Sequence, residues 1–149
     1  MIDKTPEAVR WLGFAEEDLK VAEIILEEGI YNQVCFHSQQ CVEKSLKAIL
    51  VKNNQKIPRI HSIGDLLGIC EEISKEDFAQ FEDIALILDQ YYKPTRYPDA
   101  IIGSLPDGLP DEEDAREALD MAKEIFKFIQ NTLKKVRLKY FDLCNQLLL

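Results

Sequence analysis

Apolar residues recur at three- and four-residue spacing through most of this chain, which is the pattern of amphipathic α-helices. Short clusters of Gly, Pro and polar residues separate the periodic stretches. The predicted helices cover about residues 5–28, 32–51, 62–72, 74–92 and 110–136. No stretch alternates with period two over a length that indicates a strand. The pattern therefore predicts an all-α fold, an up-down four-helix bundle with an additional short helix.

Several helix ends carry recognisable capping residues. Thr5, followed by a proline, is typical of a helix start in which the hydroxyl caps the first turn. Ser62 is predicted to cap the short third helix, and Ser74, with Asp77 three residues later, opens the fourth. Gly29 is predicted to end the first helix, because glycine tolerates the left-handed conformation that follows many helices.

Length and composition are those of an ordinary globular domain. The chain has 149 residues and 46% hydrophobic residues, so we expect one domain over residues 1–149, with a core of about 5–136 and a C-terminal extension of 137–149. The net charge of −9 argues against a general nucleic-acid coat protein. Two segments are nevertheless basic: 43–60, with five basic residues and one acidic, and 93–98, with two basic and none acidic.

The sequence indicates a cytoplasmic protein. It has no signal-peptide pattern, and no apolar run approaches the length of about 18 residues expected of a membrane span, so we expect no membrane partner. Four cysteines show no Cys-x-x-Cys spacing and lie in apolar-patterned stretches, which favours buried free thiols. They are Cys35, Cys41, Cys70 and Cys144.

One carboxylate interrupts the buried stripe of the first helix. Asp18 lies in register with Trp11, Ala15 and Ala22. A buried unpaired charge is costly, so either Asp18 lies at the edge of the stripe in water, or it has a basic partner. The candidate partners are Lys44 and Arg96.

The second helix carries a polar face as well as an apolar one. Gln39, Glu43 and Lys47 recur at four-residue spacing, which we interpret as a solvated face with a Glu–Lys pair. Gln40 and Lys44 lie beside it. His37 and Cys41 are also four apart and could face a metal ion, but no nearby residues complete a ligand set, so no metal site is expected. His61 is interpreted as a hydrogen-bonding residue of the following loop.

The segment DQYYKPTRYPDAIIG, residues 89–103, breaks the helical pattern. In it, Arg96 can grip a phosphate or carboxylate, Lys93 adds charge, and Tyr97, like the tyrosines at 91 and 92, offers a flat face to a base. Asp99 could hold Arg96 in place. The alternative is a structural loop in which the tyrosines pack on the bundle and Arg96 pairs with Asp18 or Asp99.

Three segments together resemble the HEPN domain family: AEEDLKVAEIILEEGIYNQVCFHSQQCVEKSLKAIL, IPRIHSIGDLL and YYKPTRYPDA. The matching positions are Asp18, Leu19, Phe36, Gln39, Gln40, Glu43, Lys44, Leu46, Lys47, Pro58, His61 and Arg96 to Asp99. The resemblance implies a helical bundle that is commonly a homodimer and is paired with a minimal nucleotidyltransferase in toxin–antitoxin-like modules. It also implies nucleotide binding and, in many members, metal-independent RNase activity.

The RNase members of this family carry an arginine followed, after four to six residues, by a histidine. After Arg96 those positions hold Ile101, Ile102 and Gly103, and the only histidines of the chain, His37 and His61, follow no arginine at that spacing. The sequence therefore departs from the RNase pattern. We expect no catalysis and no cofactor.

The hypothesis for the function is a non-catalytic HEPN domain that binds a nucleotide or another phosphate-bearing ligand and a nucleotidyltransferase partner. The expected ligand-binding residues are Gln40, Lys44, His61, Lys93, Arg96 and Tyr97, with Asp18 and Asp99 as orienting residues. Two alternatives stay open: an RNase toxin acting on RNA with a rearranged site made of Arg96 and His61, and a purely structural partner subunit.

Overall fold

The computed structural model describes residues 3–92 and 108–147, with side chains up to residue 135. Every regular element in these segments is helical, which confirms the predicted all-α class. The elements are α1 (Thr5–Glu27), α2 (Tyr31–Lys52), α3 (Ile63–Ile73), α4 (Lys75–Phe78), a 3₁₀ turn (Ala79–Phe81), α5 (Glu82–Asp89) and α6 (Glu112–Leu147). None of these helices is long and apolar enough to cross a membrane.

Helix α2 lies at the centre of the bundle. It packs against α1, α3, α5 and α6, and α1 also packs against α6. A surface helix buries one apolar stripe, whereas a central helix is covered nearly all round. Leu46 and Leu50 of α2 are fully buried and belong to one hydrophobic core with Ile125 and Ile129 of α6 and Phe81 of the 3₁₀ turn. Neighbouring elements therefore cover α2, including its polar residues, on several sides.

The turn between α1 and α2 is a Schellman motif. Gly29 has φ +74°, its N–H donates to the carbonyl of Leu26 at 3.1 Å, and the N–H of Ile30 donates to that of Ile25 at 3.3 Å. The prediction that Gly29 ends the first helix is confirmed. Since only three residues separate the two helices, α1 and α2 are neighbours in a helical hairpin.

Two of the three predicted hydroxyl caps differ from expectation. Ser62 caps α3 by accepting a hydrogen bond from the N–H of Asp65 at 3.2 Å, as predicted. Thr5 is instead the first helical residue, and its N–H donates to Asp3 at 2.9 Å. Ser74 precedes α4, but its hydroxyl donates to the carboxylate of Asp77 at 2.8 Å and makes no capping bond.

The predicted fourth helix is divided by the 3₁₀ turn. Phe78 and Phe81 pack edge-on against Phe128 of α6, with ring centroids 5.9 and 5.2 Å apart. Residues three apart are aligned in a 3₁₀ helix, so the tighter turn brings both rings onto one partner. The Gln80 amide also donates to the Asp77 carbonyl at 2.6 Å. These contacts explain why a continuous α-helix does not form here.

Candidate ligand-binding site on helix α2

A narrow strip of α2 is half-exposed while the rest of its middle section is buried. Its polar members are His37, Gln40 and Lys44, and Phe36 lies beside them. Residues spaced by three and four lie on the same face of a helix. These three are therefore the polar side chains of central α2 that a ligand can reach.

Asp18 of α1 holds two members of this strip. Its carboxylate bonds the Nδ1 of His37 at 2.8 Å and accepts from the Nζ of Lys44 at 2.5 Å. Burial raises the pKa of Asp18, but the hydrogen bonds from His37 and Lys44, with the positive charge of Lys44, outweigh burial and lower it below 3.8. The predicted pairing of Asp18 with Lys44 is present, and the alternative of a solvated Asp18 is wrong because its side chain is only 10% exposed.

Glu43 is the centre of a second polar cluster. Its Oε1 accepts from the Nζ of Lys47 at 2.7 Å and bonds the Nδ1 of His61 at 3.0 Å. Its Oε2 accepts from the Gln40 amide at 3.0 Å, and that amide also donates to Gln39 at 2.8 Å. Gln39 in turn donates to the backbone carbonyl of His61 at 3.0 Å. The cluster ties the loop that carries His61 to α2.

The prediction that Gln39, Glu43 and Lys47 form a solvated face is wrong. All three are buried, and Lys47 lies 5.8 Å from the ring centroid of Trp11 on α1. Their burial is possible because each charge has an opposite charge or a hydrogen-bond partner, together with the aromatic ring over Lys47. The physical reason for the error is the central position of α2, which the spacing of apolar residues along α2 alone does not reveal.

His61 faces the site from the loop before α3. Its imidazole is half-exposed, at 54%, and is stacked on Tyr92 with ring centroids 5.6 Å apart and planes at 12°. His61 was expected to hydrogen-bond the loop, but its bonds are to Glu43 and Gln39 of α2. Tyr91, considered as a face for a base, is buried in the core at 4% exposure.

The structure brings Gln40, Lys44 and His61 to one region, as expected for residues of one site. Four other predicted site residues lie outside the described residues, namely Lys93, Arg96, Tyr97 and Asp99. The sequence interpretation missed His37 as a partner of Asp18. Its spacing of seven from Lys44, two helical turns, was the signal that could have found it.

The chemistry available in the described part of the site is polar and cationic. In residues 3–92 and 108–135, no group of three or more His, Cys, Asp or Glu side chains is arranged to hold a metal ion. Cys41, considered with His37 as a metal ligand, is fully buried, and burial raises the pKa of its thiol to about 12. The predicted burial of free thiols is confirmed for Cys35, Cys41 and Cys70.

Comparison with known proteins identifies the family of this chain. The profile of the HEPN domain family matches residues 8–133. The chain belongs to the HEPN domain family. This HEPN chain is 34% identical over 128 residues to a protein of Methanocaldococcus jannaschii named "Putative toxin", and the match covers 81% of this chain and 84% of the relative.

Solved structures of similar proteins agree with this HEPN fold. A Thermus thermophilus protein has a TM-score of 0.70 at 35% identity, over 83% of this chain and 96% of that one. An archaeal HEPN homologue has a TM-score of 0.67 at 32% identity, over 85% and 97%. A HEPN domain protein of Thermotoga maritima has a TM-score of 0.66 at 29% identity, over 84% and 98%. The family and the helical-bundle fold predicted from sequence are confirmed.

Proposed function

We propose that this HEPN protein binds a nucleotide or another phosphate-bearing ligand over the half-exposed strip of α2. The observation that carries the proposal is Lys44, a cation that is 29% exposed although most of the α2 residues around it are buried. Lys44 has three N–H donors and uses one of them on Asp18, so two are left for a phosphate. Gln40 and His61 supply further polar groups beside it.

The basic loop segment at residues 93–98 supports the same proposal through chain connectivity. Tyr92 stacks on His61, so the chain enters this segment beside the site. An extended chain spans at most about 3.6 Å per residue, which keeps the Cα of Arg96 within about 14 Å of that of Tyr92. In the proposal, Arg96 and Lys44 bind phosphate, Lys93 adds charge, Tyr97 stacks on the base, and Asp99 orients Arg96.

Calorimetric titration with ATP, GTP and their monophosphates tests the ligand claim. We expect binding by the wild-type chain and a loss of at least tenfold in affinity for Arg96→Ala and for Lys44→Ala. Lys56→Ala, which removes an exposed lysine beyond the C-terminal end of α2, is the control and should bind normally. No heat at millimolar ligand, or unchanged affinity in Arg96→Ala, contradicts the proposal.

RNA cleavage is the second candidate function. The archaeal relative named a toxin favours it, while the absence of a histidine five to seven residues after any arginine opposes it. If the protein cleaves RNA, His61 acts as the acid–base group and Arg96 binds the phosphate. The assay is cleavage of RNA without divalent metal: activity that disappears in His61→Ala and Arg96→Ala supports this candidate, and activity that survives in His61→Ala rejects this site.

A minimal nucleotidyltransferase is the proposed protein partner, in a toxin–antitoxin-like module of the cytoplasm. Co-expression with a nucleotidyltransferase encoded by a neighbouring gene should give one co-purifying complex. A complex that forms while nucleotides give no heat of binding supports the third interpretation, a purely structural partner subunit. Failure to co-purify with such a protein argues against the partnership.

A homodimer is proposed through the exposed face of α1. Phe14, Val21 and Ile24 lie there at 58, 38 and 65% exposure, at spacings of seven and three residues that fit one heptad face, and Arg10 and Glu28 lie four residues beyond its two ends. Antiparallel pairing of two α1 helices about residue 19 places Phe14 opposite Ile24 and Arg10 opposite Glu28. Light scattering after size exclusion should show a dimer that Phe14→Glu with Ile24→Glu dissociates, whereas Leu86→Glu, at an exposed apolar position on α5, should leave it intact.

A further inference from the structure

The cluster of His37, Asp18 and Lys44 joins one carboxylate with two basic groups. Lys44 carries one positive charge and compensates the charge of Asp18. His37 is therefore the group whose protonation decides whether the cluster is neutral or carries one positive charge. Its Nδ1 is committed to Asp18, which leaves Nε2 as the second ring nitrogen.

The surroundings of His37 leave it open to an anion on one side. Asp18 is the charged side chain of α1 that contacts it, and Lys44 of α2 shares that carboxylate. The Cys41 thiol one turn along is neutral, since burial raises its pKa to about 12. The Phe36 ring lies edge-on at 5.1 Å between centroids and limits one side. The His37 side chain is 25% exposed, so its remaining surface is accessible but partly shielded from water.

We propose that His37 and Lys44 together bind the phosphate group of the ligand, with Asp18 as the positioning residue of both, and that binding is coupled to proton uptake at His37. This inference rests on the proposed function and deepens it, because it adds a phosphate-binding residue and a pH dependence to the same site. A phosphate favours the charged imidazolium over the neutral ring, so by linkage the affinity rises as the pH falls.

The chain contains only two histidines, so NMR titration of ¹⁵N-labelled histidine gives two sets of signals. The His61→Gln variant assigns the His37 signals without altering the cluster. We expect saturating AMP to move the His37 signals toward those of the protonated ring at constant pH, because the phosphate is an opposite charge. We also expect His37→Gln to bind AMP about tenfold more weakly than wild type at pH 6.5, with the difference shrinking at pH 8.5.

Asp18→Asn tests the positioning role separately. Removing the carboxylate should change the pH dependence of AMP affinity, which loss of a merely structural contact would not do. Thermal melting confirms that each variant is folded, and the wild-type titration needs no substitution in the cluster.

The outcomes separate this inference from the proposed function. If AMP binds and is lost in Arg96→Ala, while the His37 titration and the affinity of His37→Gln stay those of wild type, the cluster is a structural ion pair and the inference is overturned alone. If the wild-type chain binds neither AMP nor inorganic phosphate, the proposed ligand function and the inference both fail.

Discussion

The carboxylate of Asp89, in the last turn of α5, accepts a hydrogen bond from the hydroxyl of Ser62 at 2.9 Å across 27 residues of sequence. It also accepts from the backbone N–H groups of Ile63 at 2.6 Å and Gly64 at 2.9 Å, at the start of α3. An acidic group at a helix N-terminus satisfies donors that have no partner in the helix and interacts favourably with its dipole. Asp89 thereby fixes the end of the loop that carries His61.

Asp89→Ala should destabilise the fold and displace His61. It removes three hydrogen bonds, two of them to helix N-terminal amides, and we expect a loss of about 2 kcal/mol in the free energy of unfolding. Urea denaturation measures it. Asp83→Ala, which removes an exposed aspartate from the same helix, is the control and should change stability by less than about 0.5 kcal/mol. Equal stability of the two variants contradicts the capping role.

Glu43→Gln should be among the most damaging single substitutions. It leaves the buried ammonium of Lys47 without its carboxylate, and breaking a buried pair costs about 3–5 kcal/mol. Adding Lys47→Met should recover part of that loss, because no uncompensated charge is then buried. Glu112→Gln breaks an exposed pair of the same four-residue spacing, with Arg116, and should cost less than about 1 kcal/mol. If both Glu variants lose the same stability, burial of the Glu43–Lys47 pair is not what matters.

The stability should fall in acid partly because of Asp18. Its folded-state pKa lies below 3.8, so as the pH falls the unfolded chain takes up this proton before the folded chain does. The stabilisation is present above about pH 5 and is lost as the pH falls through 3.8 toward the folded pKa. Asp18→Asn should be less stable than wild type by about 2 kcal/mol at pH 7, with the difference shrinking toward pH 3. A difference independent of pH argues against a charged Asp18 in the folded protein.

Three of the four thiols should be inert until the protein unfolds. Burial raises the pKa of Cys35, Cys41 and Cys70 to about 12 from 9.0, which lowers the thiolate fraction about a thousandfold. In a Cys144→Ser background, labelling with a thiol-specific disulfide reagent at pH 8 should therefore be negligible in the native protein and complete in denaturant. Rapid labelling of one thiol in the native state identifies a helix that opens locally.

The spacing of apolar residues was sufficient to predict the helices and their order, because each helix must bury an apolar stripe whatever its neighbours are. It placed the ends at Gly29 and Ser62 correctly, because both depend on local backbone chemistry. The break at Ala79–Phe81 was missed, because it depends on the position of Phe128 about 50 residues later.

One contact of the candidate site could be predicted, because a charged residue in an apolar stripe needs a partner of opposite charge. Asp18 among apolar neighbours required a cation, and Lys44 was among the two named. The burial of Glu43 and Lys47 could not be read from α2 alone, because it follows from the helices and the loop that surround α2. His37 was missed because a histidine four residues from a cysteine suggested metal chemistry rather than a bond to another helix.

The three-residue connection between α1 and α2 has a consequence for how the chain folds. The contacts of this hairpin are close in sequence, so we expect the two helices to pair before α6 docks. At that stage Gln39 and Glu43, whose partner His61 lies in the loop after α2, are expected to face water still, while Lys47 lies against Trp11 of α1. We expect the polarity of these side chains to limit aggregation of the partly folded chain, so replacing Gln39, Glu43 and Lys47 with leucine should lower the yield of refolding more than the stability of the finished protein.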